Sequence, residues 1–335
     1  MAPHGILCVA SSGGMTHPSG AVRVVVLDDL EQVALGAADW SRLGPSVTVE
    51  ALPEHLTDDA LVAALAGADV VVCMRERTPF PRALVERLPR LRLLVTTGAR
   101  NAAIDLAACR EHGVVVCGTA GGSPAVVEHA WALVLAAARD LPGRAASMRA
   151  GRWRPTAGFD LAGKTLGLVG LGRTGSAMAR IGIAFGMDVV AWSENLTDER
   201  AGRCGAARVP KAELFARSDV VSLHVLLSDR TRGLVGRPEL RAMRPTAWLV
   251  NTSRGPVVDE AVLVEALRER WFAGAAVDVF GTEPLPADHP LRTLGNTILT
   301  PHTGYVTLDT FRAWYADVVE DVAGWLAGTP VRVLE

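Results

Sequence analysis

The chain has 335 residues, of which 49% are hydrophobic and 21% charged, and its formal net charge is -2. This length suits two domains that each bury a substantial core, and the charge balance gives no indication of a nucleic-acid partner. No apolar run approaches the length of a membrane span, which argues against a membrane protein. The five cysteines form no CxxC pair, which argues against a structural zinc site and a disulfide framework and favours a reducing compartment.

The N-terminal residues 1–20 do not have the pattern of a secretory signal. A six-residue apolar stretch, 5–10, is followed by Gly, Ser, His and Pro, and no basic segment precedes it. We expect a flexible extension here. Together with the cysteine usage, this predicts a soluble, cytoplasmic protein.

The first part of the chain alternates short β-branched runs with longer helical patterns. Strands are predicted at 22–27, 70–74, 91–96 and 114–117, and helices at 57–66, 81–87 and 105–112. Strands that alternate with helices indicate βαβ units and a parallel sheet.

A long helix is predicted next, from Pro124 to about Arg139. Ser123 suits the N-cap and Pro124 suits the first helical turn. The helix is apolar on most faces, so we expect it to be buried. It is predicted to end near 141–143, where a linker begins that runs to about Asp160.

A second alternating series follows the linker. Strands are predicted at 165–171, 188–192, 220–224, 247–251, 275–280 and 298–300. Helices are predicted at 174–185, at 259–270 with Asp259 as N-cap, and at 308–327, where Gly328 ends the last one. Six strands in this order are typical of a doubly wound dinucleotide-binding domain.

The two series predict two doubly wound α/β domains with parallel sheets. A Rossmann dinucleotide domain, 123–302, is inserted into a flavodoxin-like substrate domain formed by 21–122 and 303–335. The chain would cross between them near Gly122 and again after His302.

The glycine-rich turn Gly170-Leu171-Gly172-Arg173-Thr174-Gly175 lies between the first strand and helix of the second series. Gly170 permits the tight turn, Gly172 lets the backbone approach a pyrophosphate, and Gly175 lets the helix pack closely on the strand. The helix start, with Arg173 and Thr174, offers free N–H groups to the phosphates. The turn therefore predicts dinucleotide binding.

The residue after the next strand bears on which dinucleotide is bound. NAD sites usually place Asp or Glu there, whereas this chain has Ser193, followed by Glu194. Because Ser193 stands where an Asp is usual, the repulsion that Asp would exert on a 2′-phosphate is absent. No arginine stands beside Ser193 to attract such a phosphate; the nearest are Arg200 and Arg203. We favour NAD as the cofactor and keep NADP as the alternative.

Further segments, in the same order, resemble the D-isomer-specific 2-hydroxyacid dehydrogenase family from about Val22 onward. They are 218–224 with 231–236, 251–255 with 258–260, 276–284 and 300–304. The resemblance implies an NAD(P)-dependent oxidoreductase that transfers hydride between the cofactor and a small D-2-hydroxy acid or 2-oxo acid. It also implies a homodimer built on the dinucleotide domains. Separately, the cysteine pattern gives no reason to expect a metal, and none is predicted.

Three residues in these segments carry the catalytic roles that the resemblance implies. His302 resembles the acid/base residue, Glu283 its partner, and Arg254 the clamp for the substrate carboxylate and carbonyl. The chemistry suits these types, because negative charge develops on the carbonyl oxygen as hydride arrives at carbon. A planar guanidinium can hold that charge, and a protonated imidazole can deliver the proton.

The resemblance also implies cofactor contacts in the second domain. Asp278 would contact the nicotinamide carboxamide, Thr252 and Ser253 the nicotinamide ribose, and His224 and Val225 the adenosine side, with His302 and Gly304 also beside the cofactor.

In the first domain, the resemblance places substrate-binding residues in the loop after the third predicted strand. The amides of Ala99 and Arg100, next to Gly98, would bind the substrate carboxylate, although Arg100 replaces a usual glycine. Arg75 resembles a position that faces the substrate. A pair of surface charges, Arg75 and Arg77, is the alternative interpretation.

Two other functions stay open on sequence alone. One is a regulatory protein that senses a dinucleotide, which the intact set of Arg254, Glu283 and His302 argues against. The other is a family dehydrogenase for formate, phosphite or a phosphonate- or phosphate-bearing acid, for which Arg75, Arg77 and Arg100 could supply extra cations.

Overall fold

The computed structural model describes residues 20–121, 124–153 and 157–335. The chain forms two compact units: Met1–Gly122 with Thr307–Glu335, called the first unit, and Ser123–Val306, called the second unit. The expected flexible extension, apart from Gly20, and the predicted N-cap Ser123 lie outside the described residues. Among the described helices, none combines the length and apolarity needed to cross a membrane.

The first unit is built on a five-stranded parallel sheet. Its strands are β1 (Val22–Val26), β2 (Val47–Ala51), β3 (Val70–Cys73), β4 (Leu93–Thr96) and β5 (Val115–Gly118). Its first helices are α1 (Ala34–Ala37), α2 (Asp58–Leu65), α3 (Arg82–Val85) and α4 (Leu106–Glu111). The strand order β2-β1-β3-β4-β5 is the flavodoxin-like order, so the predicted fold class is confirmed for this unit.

The sequence predicts four strands in this region, whereas the structure has five; the strand that the prediction missed is β2. Among the residues that the structure describes, this strand pairs only with β1, at the edge of the sheet. Thr48 and Glu50 interrupt its apolar run, and Thr48 is exposed while its neighbours are half-buried. An edge strand can carry such residues because one side stays open to water, and that removes the continuous apolar signal of a buried strand.

The second unit contains a seven-stranded parallel sheet. Its strands are β6 (Thr165–Val169), β7 (Asp188–Trp192), β8 (Ala207–Arg208), β9 (Val220–Leu223), β10 (Trp248–Asn251), β11 (Gly274–Val277) and β12 (Thr297–Leu299). Its helices are α5 (Ala125–Arg139), α6 (Leu141–Arg149), α7 (Arg173–Ala184), α8 (Asp198–Arg203), α9 (Lys211–Arg217), α10 (Arg237–Ala242) and α11 (Glu260–Arg268). The order β12-β11-β10-β9-β6-β7-β8 is doubly wound, as predicted; the additional strand is the two-residue edge strand β8.

The linker predicted after α5 is wrong over Leu141–Arg149, which form helix α6. Pro142 occupies the first helical turn, where its missing N–H costs no hydrogen bond. Asp140 has a left-handed φ of 47° and separates α6 from α5. No residue of α6 is buried in this chain, so the helix lacks the apolar stripe by which sequence patterns reveal a helix.

The last helix, α12 (Leu308–Leu326), returns the chain to the first unit. Thr307 caps the helix by accepting a hydrogen bond from the N–H of Thr310. The helix buries Trp314 and Tyr315 against the first unit. Beyond it, Val333 forms an antiparallel bridge with Cys117. The first unit is therefore assembled from two chain segments.

A buried carboxylate on α12 anchors the segment that follows. Asp321 is 0% exposed and accepts a hydrogen bond of 3.0 Å from Nε of Arg332. The same guanidinium reaches Glu320 at 2.6 Å, while Asp317 accepts the N–H of Ala120 at 2.7 Å. Polar contacts thus tie α12 both to its own C-terminal extension and to the end of the β5 region.

Candidate active site

The three glycines of the glycine-rich turn meet different surroundings. Gly170 has a φ of 97°, and a Cβ on it would overlap the carbonyl oxygen of His224. A Cβ on Gly175 would overlap the carbonyl oxygen of Gly170. At Gly172, by contrast, a Cβ would meet nothing within 4 Å. The protein's own packing therefore requires the outer glycines, whereas the middle one leaves open space over which a ligand can approach.

Two further observations test whether the residues present fit a dinucleotide. Helix α7 begins at Arg173, so its first-turn N–H groups lie directly after the open Gly172. The hydroxyl oxygen of Thr252 is buried and has no hydrogen-bond partner among the described residues. A buried hydroxyl without a partner costs free energy unless a ligand supplies one. Both features fit a bound dinucleotide.

His224 and Val225, predicted on the adenosine side, lie beside the glycine turn. The backbone of His224 and the side chain of Val225 are the neighbours that a Cβ on Gly170 would meet. The ring of His224 hydrogen-bonds the hydroxyl of Ser222 at 2.9 Å, and burial lowers its pKa to about 4. His224 is therefore neutral near pH 7. Ser193 follows β7, which pairs with β6, so its backbone lies at the same sheet edge as the turn.

His302 and Glu283 are in direct contact. Nδ1 of His302 lies 2.6 Å from Oε2 of Glu283. The other oxygen of Glu283 accepts the N–H of Phe280 at 2.8 Å. Both side chains are about one-third exposed, at 29% and 35%. The structure thus brings together the predicted acid/base residue and its predicted partner, with Nε2 of the ring outside this contact.

Asp278 holds the loop that carries His302. The His302 N–H donates to the carbonyl oxygen of Asp278 at 2.8 Å, and the N–H groups of Thr303 and Gly304 each donate to its carboxylate at 2.9 Å. His302 itself has a φ of 54°, a left-handed conformation that is unfavourable for a residue with a side chain. Three consecutive N–H groups around one aspartate hold the loop in this conformation.

The carboxylate of Asp278 is 1% exposed. Burial acts to raise its pKa, but hydrogen bonds from His129, Thr300 and the Thr303 N–H outweigh it and lower the pKa below its usual value. Asp278 therefore carries a full negative charge at neutral pH. Its contact to the nicotinamide carboxamide stays a prediction.

Arg254 follows strand β10, in a loop organised by Asn251. The Asn251 side chain donates to the Arg254 carbonyl at 3.1 Å and accepts from the N–H and hydroxyl of Ser253 at 3.1 and 2.8 Å. The guanidinium of Arg254 donates to the carbonyl of Ser253 at 2.8 Å. Sequence reasoning missed the role of Asn251, because a strand-end asparagine has no distinctive spacing.

Sheet register shows how these loops are related. Asn251 pairs with Val277, and Val277 pairs with Leu299. Strands β10, β11 and β12 are therefore adjacent and parallel. Arg254 lies in the loop after β10, Asp278 lies directly after β11, and His302 lies in the loop after β12. Parallel strands bring such loops to one edge of the sheet, which is where ligands bind in open α/β sheets.

In the first unit, Arg75 and Gly98 are in contact. Arg75 has a φ of 53°; its N–H donates to the Thr97 hydroxyl at 3.0 Å, and its carbonyl accepts from the Asn101 side chain at 2.6 Å. A Cβ on Gly98 would overlap the guanidinium of Arg75, whose Cζ lies 5.9 Å from the ring centroid of Trp314. The backbone of Arg75 is therefore held in place, while its guanidinium lies against Gly98 with its Nε 3.7 Å from Oε2 of Glu76.

The other candidate substrate residues differ in their surroundings. Ala99 and Arg100 are exposed. Arg77 donates to Glu31 at 2.8 Å and to the Asp28 carbonyl at 2.9 Å, so a carboxylate already offsets its charge. The suggestion that Arg77 adds a free cation for a phosphorylated substrate is therefore not supported by its contacts.

The fold and site define a class of protein: two doubly wound parallel sheets, with a dinucleotide-type turn and a histidine–carboxylate pair on the second. A family model described as "D-isomer specific 2-hydroxyacid dehydrogenase, NAD binding domain" matches residues 131–304. The chain belongs to the D-isomer specific 2-hydroxyacid dehydrogenase family. The predicted family, fold class and NAD(P)-dependent oxidoreductase class are thereby confirmed.

Curated relatives in this family differ in the substrate that their names give. The D-3-phosphoglycerate dehydrogenase of Methanocaldococcus jannaschii is 35% identical over 311 residues, which cover 92% of this chain and 58% of that protein. The glyoxylate reductase of Aeropyrum pernix is 40% identical over 237 residues, which cover 68% of this chain and 71% of that protein.

A solved structure is similar over nearly its full length. The phosphoglycerate oxidoreductase from Vibrio cholerae O395 has a TM-score of 0.87 and 35% identity, and the match covers 92% of this chain and 99% of that one. This similarity supports the arrangement of strands described above for each unit.

Proposed function

We propose that this protein transfers hydride between a nicotinamide dinucleotide and a small D-2-hydroxy acid or its 2-oxo acid. The observation that carries the proposal is the 2.6 Å contact between His302 and Glu283, on loops next to the one that carries Arg254. When bound, the dinucleotide supplies or accepts the hydride.

The chain's own residues stabilise the charge that develops on the substrate and exchange the proton. In the reductive direction, negative charge develops on the substrate carbonyl oxygen, and the guanidinium of Arg254 stabilises that charge while its planar fork binds the adjacent carboxylate. Nδ1 of His302 is occupied by Glu283, so Nε2 is the atom that donates the proton. In the oxidative direction the same nitrogen accepts it.

The first unit contributes to substrate binding in this proposal. The N–H groups of Ala99 and Arg100, next to Gly98, bind the substrate carboxylate, as the family resemblance implies. A second candidate within the same chemistry is an acid with an additional negative group such as a phosphate, for which Arg75 is the candidate cation, although its Nε also lies 3.7 Å from Oε2 of Glu76. Small 2-oxo acids whose only charge is the carboxylate, and phosphorylated ones, are thus the two substrate classes to compare.

The cofactor contacts are assigned from the glycine-rich turn and the family resemblance. The turn from Gly170 to Gly175 binds the pyrophosphate, and Thr252 and Asp278 contact the nicotinamide half. We favour NAD over NADP, a homodimer as the assembly, and the cytoplasm as the location.

A substrate panel tests the proposal. Purified protein is mixed with NADH or NADPH and, in separate reactions, glyoxylate, pyruvate and 3-phosphohydroxypyruvate, and absorbance at about 340 nm is followed. Oxidation of either cofactor with at least one acid supports the proposal. No oxidation with any acid, in protein that still binds NADH, would favour the dinucleotide-sensing alternative.

A further inference from the structure

His129 is a histidine outside the predicted catalytic set that touches the support of the catalytic loop. It lies on helix α5, and its side chain is 20% exposed. Its Nε2 lies 3.1 Å from the hydroxyl oxygen of Thr300 and 3.3 Å from Oδ1 of Asp278. Both partners belong to the network that holds His302.

The chemistry of the partners fixes the direction of these hydrogen bonds. The Thr300 hydroxyl donates to Oδ1 of Asp278 at 2.5 Å, so its proton is already used and its oxygen accepts. The carboxylate of Asp278 accepts only. Nε2 of His129 therefore carries a proton and donates it to this pair of oxygens.

Asp278 links His129 to the loop that carries His302. Its Oδ1 accepts from Thr300, from the N–H of Thr303 and from His129, and its Oδ2 accepts from the N–H of Gly304. Its carbonyl accepts the N–H of His302 itself. The carboxylate of Asp278 thus holds the N–H groups of Thr303 and Gly304, and its backbone carbonyl holds that of His302, which has a left-handed φ.

Helix α5 gives the support a rigid base. Ala130, Val134 and Ala138 are each at most 1% exposed, which fixes the helix in the core. A side chain on a buried helix is positioned more precisely than one on a loop. His129 is therefore a fixed donor against which the more exposed loop at 300–304 is aligned.

We infer that His129 is a positioning residue for His302, acting through Thr300 and Asp278. This inference rests on the proposed function, in which His302 exchanges the proton with the substrate. Loss of the donor would let the carboxylate of Asp278 and the backbone at 302–304 relax. A displacement of the acid/base group by about 1 Å can cost roughly 100-fold in rate.

The test compares His129→Ala and His129→Gln with the wild-type protein. His129→Ala is expected to lower kcat by about 10- to 100-fold, with the dissociation constant of NADH, measured by fluorescence titration, changed less than about threefold. His129→Gln keeps a donor near the position of Nε2 and is expected to recover much of the lost kcat. Glu128→Gln, an exposed neighbour on the same helix, is the matched control and should behave as wild type.

A second readout does not depend on turnover. Hydrogen exchange followed by mass spectrometry should show faster exchange in the peptide that contains residues 302–304 of His129→Ala, and wild-type exchange there in Glu128→Gln. If the wild type reduces no 2-oxo acid but this exchange difference is seen, the proposed function fails and the support network stands. Unchanged kcat and unchanged exchange in His129→Ala would overturn the inference, as would a loss of NADH affinity that accounts for the whole effect.

Discussion

The imidazole of His302 and the carboxylate of Glu283 are joined by a 2.6 Å hydrogen bond between Nδ1 and Oε2. Because Oε1 of the same carboxylate accepts the N–H of Phe280, the carboxylate is fixed at both oxygens. The ring is thereby oriented before any substrate binds. Preorganised groups lower the barrier because they need no rearrangement during the reaction.

Replacement of His302 by asparagine tests its role directly. His302→Asn should lower kcat by about 100- to 10,000-fold, since asparagine cannot exchange the proton as an acid or base. The dissociation constant of NADH should change little. His112→Asn, at an exposed histidine after α4, is the control. More than about one-tenth of wild-type turnover in His302→Asn would show that the proton reaches the substrate by another route.

Arg254→Lys tests the shape of the clamp rather than its charge. A lysine keeps one positive charge but loses the planar fork that binds a carboxylate and an adjacent oxygen together. We expect kcat/KM for the 2-oxo acid to fall by roughly 100-fold, equivalent to about 3 kcal/mol. Arg268→Lys, on the exposed face of α11, should leave kinetics unchanged. Near-wild-type kcat/KM in Arg254→Lys would contradict the clamp role.

The glycine-rich turn allows a paired test of binding against folding. Gly172→Ala adds a Cβ into open space, so the melting temperature should fall only slightly, reflecting an N-cap cost of up to about 1 kcal/mol. Its dissociation constant for NADH should nevertheless rise at least about tenfold. Gly175→Ala, where the Cβ meets the Gly170 carbonyl, should instead lower the melting temperature strongly. Unchanged NADH affinity in Gly172→Ala would remove the turn from the binding site.

Ser193→Asp addresses the choice of dinucleotide. An aspartate after β7 would accept hydrogen bonds from the adenosine ribose and repel a 2′-phosphate. The ratio of kcat/KM with NADH to that with NADPH should therefore rise at least about tenfold. Glu194→Gln, measured alongside, shows whether the exposed neighbour already provides the contact. An unchanged ratio in Ser193→Asp would place the ribose elsewhere.

The buried carboxylate of Asp321 predicts a pH effect on stability. Burial raises its pKa to about 7, with Arg332 acting in the opposite sense. Between pH 4 and 7 the folded state then holds a proton that the unfolded state has lost. This group's contribution to the free energy of unfolding therefore falls as pH rises, by at most about 1.4 kcal/mol per pH unit.

Urea denaturation at pH 5 and pH 8 measures this contribution. The decrease in stability from pH 5 to pH 8 should be smaller in Asp321→Asn than in the wild type, because asparagine does not titrate. Asp309→Asn, at an exposed carboxylate on the same helix, should follow the wild type. Parallel pH dependence in the wild type and Asp321→Asn would rule out Asp321 as the source.

The sequence was sufficient for the fold class because buried parallel strands are nearly continuous apolar runs, as in Val70–Cys73. It was insufficient for β2 and α6. The first carries polar residues at a sheet edge, and the second, Leu141–Arg149, buries no side chain and begins with proline and glycine. Both elements lack the periodic signal on which prediction depends.

For the site, the residues were predicted from the family resemblance, but their support was not. The contact between His302 and Glu283 joins residues 19 positions apart, and that between His129 and Thr300 joins residues 171 apart. A histidine in an apolar helix is indistinguishable from an ordinary core residue until the fold brings a distant loop against it.

The division of the first unit between two chain segments has a consequence for biosynthesis. Residue Ala120 hydrogen-bonds Asp317, 197 positions later, and Cys117 bridges to Val333. During translation the second unit, which is continuous, can finish folding while the first five strands still lack their last helix. The incomplete sheet would expose apolar surface for the time needed to synthesise about 200 residues, on the order of 10 to 40 s in a cell. Recognition by chaperones would then concentrate on residues 20–121.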